Sequence, residues 1–489
     1  MSGYLQRESL SKAVGRRAFA GLISLTVFAL SSCTVGPKYV RPSAEVPADF
    51  KEADNWKPAQ PGDALSKGKW WEIYQDPQLN ILEDRINVSN QNLKIAQAQF
   101  TQARAALKIS RSGLFPTVTG NASAAHLQQS QNRPLFNTSR AKTNYSDYTI
   151  TADASYEADI WGRVRRTVEA SRSEAQATAA DLASVELSLH AELAVDYFGL
   201  RGLDAQQALL SSTVVSYEKA LELTQNRYHG GLASAVEVAQ AQTILETTRA
   251  LATDVEVQRA AFEHAIAVLI GEPPSTFSLP VLPLTTPPPS IPPGLPSDLL
   301  ERRPDIAAAE RRVQEANARI GIARAAYFPL LTLSGSGGFE SAAITTLIQG
   351  PSGLWSFGGA AMETLFDAGR RRGVSEQAIA AHEQFVANYR QTVLSAFQEV
   401  EDNLAALRIL EEEAKTEDAA VAAAQHSLAL SENRYRGGVT SYLEVTIAQS
   451  AALSDEVTAV NIRTRRMTSS VLLIKAIGGG WNVSQIPRV

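Results

Sequence analysis

A stretch in the second half of the chain repeats a stretch in the first half. Residues 226–243 and 433–450 are identical at ten of eighteen aligned positions, at a spacing of 207 residues. The same spacing carries Gly162-Arg163 onto Gly369-Arg370. A repeat at a fixed spacing decides the architecture before any single element does. The 489-residue chain is therefore expected to contain two copies of one structural plan.

Each copy also contains a long segment without proline. Residues 163–227 and 370–434 lack proline and are rich in Ala and Glu, and apolar side chains in the first segment recur every three or four positions. A helix of this length would extend about 100 Å. No compact domain accommodates such a helix, so the pattern predicts a coiled coil or a helical tube.

Two strand-like segments precede the long helix in each copy. Residues 145–161 alternate apolar and polar side chains, and residues 115–126 are their expected partner. The second copy has segments at 328–339 and 354–367, where Glu363 interrupts the apolar face. Each reaches the length of about 9 to 11 residues that a tilted membrane strand needs. Four strands cannot close a barrel alone, so the pattern favours a membrane barrel shared by several chains, with a soluble sandwich as the alternative.

Prolines and changes of periodicity divide the chain. Ten prolines in residues 272–297 predict an extended linker, because proline lacks a backbone donor. Each copy opens with a helical pattern, over 79–113 and 298–326, that stops at a Phe-Pro pair. The expected division is a signal peptide (1–32), an extended lipidated segment (33–78), a first repeat (79–271), the linker, a second repeat (298–478) and a C-terminal tail (479–489).

The beginning of the chain resembles a bacterial lipoprotein leader. Arg16 and Arg17 precede an apolar run at 18–30, and the sequence Leu-Ser-Ser-Cys ends at Cys33. Cys33 is the only cysteine, so an intramolecular disulfide is excluded. Its position predicts the lipidated first residue of the mature protein, and an incidental buried cysteine is the alternative. No cofactor is expected besides this covalent lipid.

The repeated motif predicts a helical hairpin at the far end of each long helix, at 226–238 and 433–445. The glycines can adopt the left-handed conformation that ends a helix, because they lack a Cβ atom. These tip glycines are Gly230, Gly231, Gly437 and Gly438.

A Ser-x-x-Glu sequence follows each glycine pair. Ser234 with Glu237, and Ser441 with Glu444, have the spacing of a capping box that starts the next helix. As caps, both glutamates need no other role. The alternative is that these carboxylates line an opening between several chains, where a ring of carboxylates favours cations and repels itself on closing.

Several short motifs follow one another in an order shared with a known family. They are Cys33-Thr34-Val35-Gly36-Pro37, Trp70-Trp71, Asp159-Ile160-Trp161-Gly162-Arg163, Arg303-Pro304-Asp305, Phe328-Pro329 and Leu365-Phe366-Asp367-Ala368-Gly369-Arg370. Together they span almost the whole mature chain and resemble the outer membrane factors, the TolC/OprM-like channels of tripartite efflux systems. The resemblance is strongest to the lipidated channels of RND-type systems.

The resemblance implies a mainly α fold with a membrane β-barrel, assembled as a homotrimer. Three chains with four strands each would give a 12-stranded barrel in the outer membrane, continuous with an α-helical periplasmic tunnel. The repeat alone would also allow two chains and eight strands. The implied partners are a periplasmic adaptor protein, an inner-membrane RND-type pump and outer membrane lipid. The implied function is an exit duct for small toxic compounds, lipid-anchored in the outer membrane and gated at its periplasmic tips.

The second tip is the better candidate for the gate. Similar channels often carry a second carboxylate three residues beyond the first, where this chain has Ile447. An acidic ring would therefore come from Glu444, with Ile447 as an apolar layer beside it. Tyr442 and Ile447 stand where the first tip has Ala235 and Gln240. Glu237 of the first tip is a further gate candidate.

The sequence carries no pattern of catalysis or metal binding. Its six histidines are scattered without ligand spacing, no phosphate-binding loop is present, and a net charge of −5 gives no argument for nucleic acid. An enzyme is therefore not expected. A channel of a type I-like protein secretion system and a lipid-anchored periplasmic coiled-coil scaffold are the alternative functions.

Overall fold

The computed structural model describes residues 34–53, 68–130, 132, 143–289, 291 and 298–488. The helices of this part of the chain are α1 (Pro77–Ser89), α2 (Gln91–Ser112), α3 (Arg163–His229), α4 (Ala235–Leu269), α5 (Leu299–Arg302), α6 (Pro304–Ala325), α7 (Arg370–Arg436) and α8 (Tyr442–Ala476). The strands are β1 (Thr117–Gln128), β2 (Asn144–Glu157), β3 (Leu330–Ser341) and β4 (Gly353–Met362). Short 3₁₀ turns connect several of these elements, and the predicted signal peptide lies outside the described residues.

The helices and strands confirm the internal repeat. Helices α3 and α7 both have 67 residues, α4 and α8 both have 35, and each bound in the second half follows its counterpart by 207 positions. Helices α2 and α6 both have 22 residues at an offset of 213. The difference between the two offsets falls in the strand region, so the long hairpins keep the same length in both halves.

The helical pattern that opens each repeat is interrupted, contrary to the sequence prediction. Asn90 ends α1 in an extended conformation, and its side-chain oxygen then accepts a 2.9 Å hydrogen bond from the amide of Leu93 in α2. In the second half Arg303 divides α5 from α6, because the residue before Pro304 is pushed out of the helical region. The first break lies against the end of α4, where the side-chain amide of Asn90 donates to the carbonyl of Leu269 at 2.7 Å.

The strands form one antiparallel sheet in the order β1-β2-β3-β4. Strands β2 and β3 belong to different halves and pair in the register Ile150↔Phe339, so the sheet joins the two copies. Strands β1 and β4 each have one edge without a strand partner in the described chain. A row of free backbone groups at a sheet edge is a ready site for another strand.

Two predicted strands end earlier than their alternating pattern suggested. Strand β2 stops at Glu157 rather than at 161, because Asp159 accepts hydrogen bonds from the amides of Val164 (3.0 Å) and Arg165 (2.8 Å). Strand β4 stops at Met362 rather than at 367, and Asp367 accepts one from the amide of Arg371 at 3.1 Å. Each aspartate therefore caps the helix that follows instead of extending the strand.

The main hydrophobic core lies among the helices, and helices of both halves contribute to it. It includes the fully buried side chains of Trp71, Leu193, Tyr197 and Val400. None of the described helices combines the length and the apolar character needed to cross a bilayer.

The described part of the linker runs along this core in an extended path. The carboxylate of Asp204 accepts a hydrogen bond from the amide of Leu282 at 2.9 Å, and it also binds the guanidinium groups of Arg201 and Arg259. These contacts hold the proline-rich linker against α3 and α4.

Candidate functional site

The two glycine pairs end helices α3 and α7 in the same way. The second glycine of each pair is left-handed, with φ of 73° at Gly231 and 71° at Gly438, whereas Gly230 and Gly437 keep right-handed angles. In each tip the amide after the pair donates a hydrogen bond to a carbonyl five residues earlier, from Leu232 to Arg227 (2.8 Å) and from Val439 to Arg434 (2.9 Å). The predicted tip hairpins therefore form through the same left-handed helix ending.

The two tips start their next helices differently. In the first tip Ser234 and Glu237 form a capping box, in which the hydroxyl oxygen of Ser234 accepts from the amide of Glu237 at 3.3 Å. In the second tip the side chain of Ser441 makes no capping hydrogen bond, so the capping box predicted there is wrong. The carboxylate of Glu444 lies 3.2 Å from the guanidinium of Arg434 instead. The guanidinium of Arg434, at the end of α7, thus binds the carboxylate of Glu444 in place of a capping interaction with Ser441.

The tips are also joined to each other. The hydroxyl of Tyr435 at the end of α7 donates a 3.0 Å hydrogen bond to Glu237 at the start of α4. The guanidinium of Arg227 lies over the ring of Tyr435 at 4.7 Å and donates to the carbonyl of Arg436 at 3.1 Å. Glu237 therefore both caps its own helix and holds the second hairpin.

Tyr442 is buried between the hairpins, with 1% of its surface exposed. Its ring meets that of Tyr435 edge to face at 5.2 Å, and its hydroxyl donates to Gln449 at 3.4 Å. Burial raises the pKa of Tyr442 to about 12 and also raises the pKa of Tyr435. These two rings, with Ala241 and Val445, form a small core of their own at the tips.

Glu444 and Ile447 lie on the surface of the hairpin. The side chain of Glu444 is 46% exposed and Ile447 is 62% exposed. A separation of three residues places them on one face of α8. The structure thus separates the predicted gate residues into an exposed pair, Glu444 and Ile447, and two residues engaged in contacts between the hairpins, Glu237 and Tyr442.

The predicted lipidation site, Cys33, lies outside the described residues. The residues that follow it run along the junction between the sheet and the long helices. The amide of Val35 donates to the carbonyl of Trp161 at 3.0 Å, and Thr34 sits so close to Gly162 that a Cβ atom there would collide with it. The carbonyl of Pro37 accepts from Arg166 of α3 at 3.0 Å and from Asn317 of α6 at 3.2 Å.

No set of three or more histidine, cysteine, aspartate or glutamate side chains is arranged to hold a metal ion in the part of the chain that the structure describes. The described tips are built from hydrogen bonds, ion pairs and packed aromatic rings.

Comparison with known proteins identifies the family. The model of the outer membrane efflux protein family matches residues 82–272 and 295–479. The chain belongs to the outer membrane efflux protein family. It is 32% identical over 461 residues to the probable efflux pump outer membrane protein TtgC of Pseudomonas putida, covering 94% of this chain and 95% of the relative. It is 34% identical over 475 residues to the toluene efflux pump outer membrane protein TtgF of Pseudomonas putida, covering 95% and 98%.

Solved structures of outer membrane efflux proteins share the fold. The outer-membrane channel OprN superposes with a TM-score of 0.86 at 29% identity, over 92% of this chain and all of that chain. The predicted fold class, a long helical tunnel combined with strands of a membrane barrel, is confirmed by this match. The soluble sandwich that the strand pattern left open is therefore excluded, and the family is one of transport proteins rather than of enzymes.

Proposed function

We propose that this chain is the exit duct of a tripartite efflux pump and works as a homotrimer. The observation that carries the proposal is the four-stranded sheet with open edges at β1 and β4. If β4 of one copy pairs with β1 of the next, three copies close a 12-stranded barrel and satisfy the free backbone groups at both edges. The side chains of Trp355 and Phe357 on β4 are exposed, as lipid-facing side chains of a barrel are.

The names of the relatives support a proposal for the class of cargo. A relative that serves a toluene efflux pump covers nearly all of this chain, which supports small toxic compounds as the exported class. Such a duct requires a periplasmic adaptor and an inner-membrane pump of the RND type. The tips are the proposed meeting point with the adaptor, because Leu232 and Val439 are exposed beside the two left-handed glycines.

The lipid anchor is proposed at Cys33. The contact between Val35 and Trp161 places the beginning of the described chain beside the last residues before α3, directly below the sheet. A lipidated residue two positions earlier would lie at the edge of the membrane that holds the barrel. Mass spectrometry of the purified protein should find a lipid-modified N-terminal cysteine, and an unmodified mature N-terminus would exclude the anchor.

The gate is proposed at the second tip. In a trimer the exposed face of α8 would place three copies of Glu444 and Ile447 around one axis, as an acidic ring beside an apolar layer. The contact between Tyr435 and Glu237 would hold the hairpins of each copy together in the narrow state.

Planar bilayers test the duct and the gate together. The purified chain should conduct ions, and the double variant Glu444→Gln with Ile447→Ala should raise the conductance several-fold by removing charge and bulk from the opening. Glu256→Gln with Val257→Ala is the matched control, because these exposed residues lie on α4 away from the tips. Equal conductance of the two double variants would remove Glu444 and Ile447 from the gate, and a wild-type chain that never conducts would refute the duct.

A deletion strain tests the cargo. Loss of the gene should sensitise cells to toxic compounds and the wild-type gene should restore resistance. A strain that keeps its resistance but loses a secreted protein would instead favour a protein secretion channel.

A further inference from the structure

Basic side chains repeat at the ends of the two helices that lead into the sheet. Arg111 of α2 and Arg324 of α6 are equivalent positions of the two halves, each one residue before the end of its helix. Lys108 lies one turn earlier on α2. The axial rise from Lys108 to the end of α2 is about 6 Å, so the three cations lie in one thin layer below the sheet. These three side chains are called the basic belt.

Arg324 points to the outer side of α6. Asn317 binds the N-terminal segment through the carbonyl of Pro37, and Arg324 follows Asn317 by almost two full turns on the same face. The opposite face of α6, with Glu315 and Arg319, lines a cleft of about 720 Å³ between α2, α3, α6 and α7. The N-terminal segment and the cleft therefore mark the outer and inner sides of the helical wall.

Lys108 points away from the same cleft, whereas Arg111 lies at the side of α2. Ala103 and Ala106 of α2 line the cleft. At about 100° per residue, Lys108 is rotated by roughly 140° from Ala103 and 160° from Ala106, and Arg111 by roughly 80° and 140°. Lys108 and Arg324 thus lie on the outer side of the wall, and the half-buried Arg111 lies beside them at the edge of α2.

The cations of the belt have no protein partner within the described residues. The side chains of Lys108, Arg111 and Arg324 take part in no ion pair and no hydrogen bond there. Arg372, at the same level, is instead paired with Glu376 at 2.9 Å. Lys108 and Arg324 are exposed and Arg111 is half-buried. The belt therefore presents positive charge that the described chain does not neutralise.

Aromatic side chains lie between the belt and the sheet. Phe115 and Phe328 follow α2 and α6 and are exposed, and Trp161 stacks on Phe328 at 4.7 Å. Aromatic rings next to lysine and arginine are typical of the boundary between a membrane and water. The order along the molecule is strand, aromatic ring, cation, which is the order of apolar core, interface and phosphate in a lipid leaflet.

We propose that the basic belt binds the phosphate groups of anionic phospholipids in the leaflet that faces the periplasm. The proposal rests on the proposed location of the sheet in the outer membrane. Guanidinium groups bind phosphate oxygens through paired hydrogen bonds, and each Lys or Arg near an anionic surface contributes about a fivefold gain in binding. The belt selects phosphatidylglycerol-type lipids over zwitterionic ones and fixes the height of the duct in the bilayer.

Tryptophan quenching in vesicles tests the belt. The full-length protein carries Trp355→Phe in every variant, which removes the exposed tryptophan of β4. It is reconstituted into mixed phosphatidylcholine and phosphatidylglycerol, with bromine carried by one lipid at a time, so that quenching reports which lipid lies beside Trp161. The wild-type protein should prefer phosphatidylglycerol. The triple variant Lys108→Gln, Arg111→Gln, Arg324→Gln should lose that preference by about fivefold or more. The matched control Lys94→Gln, Lys219→Gln, Arg463→Gln removes three exposed cations from other parts of the helices and should keep it.

Four results would overturn the proposal. The first two are equal quenching by both lipids in the wild-type protein and an equal loss of preference in both triple variants. The third is displacement of the lipid by inorganic phosphate in solution, which would indicate a free-phosphate site. The fourth is a belt variant that keeps its lipid preference but dissociates more easily into single chains, which would show that the cations bind a neighbouring copy instead. Conductance is measured in pure phosphatidylcholine on the same preparations, where the belt variant should conduct like the wild type. A wild-type protein that does not conduct there would refute the proposed duct, whereas a loss of lipid preference without a loss of conductance concerns the basic belt alone.

Discussion

The two tip hairpins share a turn but differ in the contacts of their side chains. Both use a left-handed glycine and the same backbone hydrogen bond to end the long helix. In the first tip Glu237 is fixed by Ser234 and Tyr435, whereas in the second tip Glu444 is exposed and is paired with Arg434. The two copies therefore share the glycine turn, which the backbone conformation requires, and differ in the side chains around it.

The difference assigns unequal tasks to the two copies. The first tip is expected to act as a fixed partner, because the carboxylate of Glu237 already accepts hydrogen bonds inside the chain. The second tip contributes the buried Tyr442 and the exposed Glu444. A change in the second tip is therefore expected to alter both the packing between the hairpins and the surface that they present.

The largest effect is expected from Tyr442→Ala. Removing a fully buried aromatic ring leaves a cavity, at a cost of about 3 kcal/mol in the stability of the second hairpin. Amide hydrogen exchange should accelerate at the start of α8 far more than at the start of α4, where Ala235 holds the equivalent position. Equal acceleration in both hairpins would mean that the two tips unfold as one unit, and Tyr442→Phe is the control that keeps the ring.

Alkaline pH should loosen the same region. The folded pKa of Tyr442, about 12, is raised above its ordinary value of 10.0, so the neutral hydroxyl is favoured in the folded state. The stability contributed by the neutral form is complete below pH 10 and is lost as the pH rises from 10 to 12. Hydrogen exchange of the second tip should follow this window. Tyr442→Phe should remove much of the dependence, and an unchanged pH profile in that variant would refute the assignment.

Substitution of the left-handed glycines should separate backbone from side-chain effects. Gly438→Ala forces a Cβ atom into a left-handed conformation and should destabilise the second tip by about 1 kcal/mol. Gly437→Ala is the matched control, because its φ of −74° suits any residue and an added Cβ atom would make only ordinary contacts. Gly231→Ala should cost as much as Gly438→Ala. Unequal losses of stability at Gly231 and Gly438 would show that the two turns differ energetically although their backbone angles are nearly equal.

The smallest effects are expected from the glutamates. Glu237→Gln weakens a cap and a hydrogen bond to Tyr435, for a loss of about 1 kcal/mol. Glu444→Gln breaks an exposed ion pair with Arg434 that contributes about 0.5 kcal/mol or less. Hydrogen exchange at the starts of α4 and α8 measures both. A larger loss of stability from Glu444→Gln than from Glu237→Gln would mean that the second tip, not the first, is the one fixed by its glutamate.

Periodic features of the sequence predicted most of this fold. The repeat, the proline-free helices and the alternating strands each follow from a pattern that extends over many residues. The end of β2 was misplaced because Asp159 continues the alternation of the sequence but caps a helix in the structure. The end of β4 was misplaced because the alternation is already interrupted at Glu363, and Asp367 likewise caps a helix. Alternation records only the order of polar and apolar residues, and a helix cap is a polar residue too.

The contacts of the tips could be predicted only in part. The turn glycines follow from local sequence, since the left-handed conformation excludes nearly every other residue. The missing cap at Ser441 depends on Arg434, which lies close in space only after the hairpin has formed. The link between Tyr435 and Glu237 joins residues 198 positions apart, and no local pattern contains that information.

The pairing of β2 with β3 has a consequence for how such a ring could have arisen. A single repeat would be a two-stranded ribbon with both edges free, and such ribbons are marginal in isolation and prone to pair at random. Joining two repeats in one chain buries the edges at β2 and β3 permanently. In the proposed trimer, a closed ring of six repeats then needs only three joints between molecules instead of six, and every joint is of the same kind. Fusion of two repeats in one chain thus halves the number of intermolecular strand pairings that assembly requires.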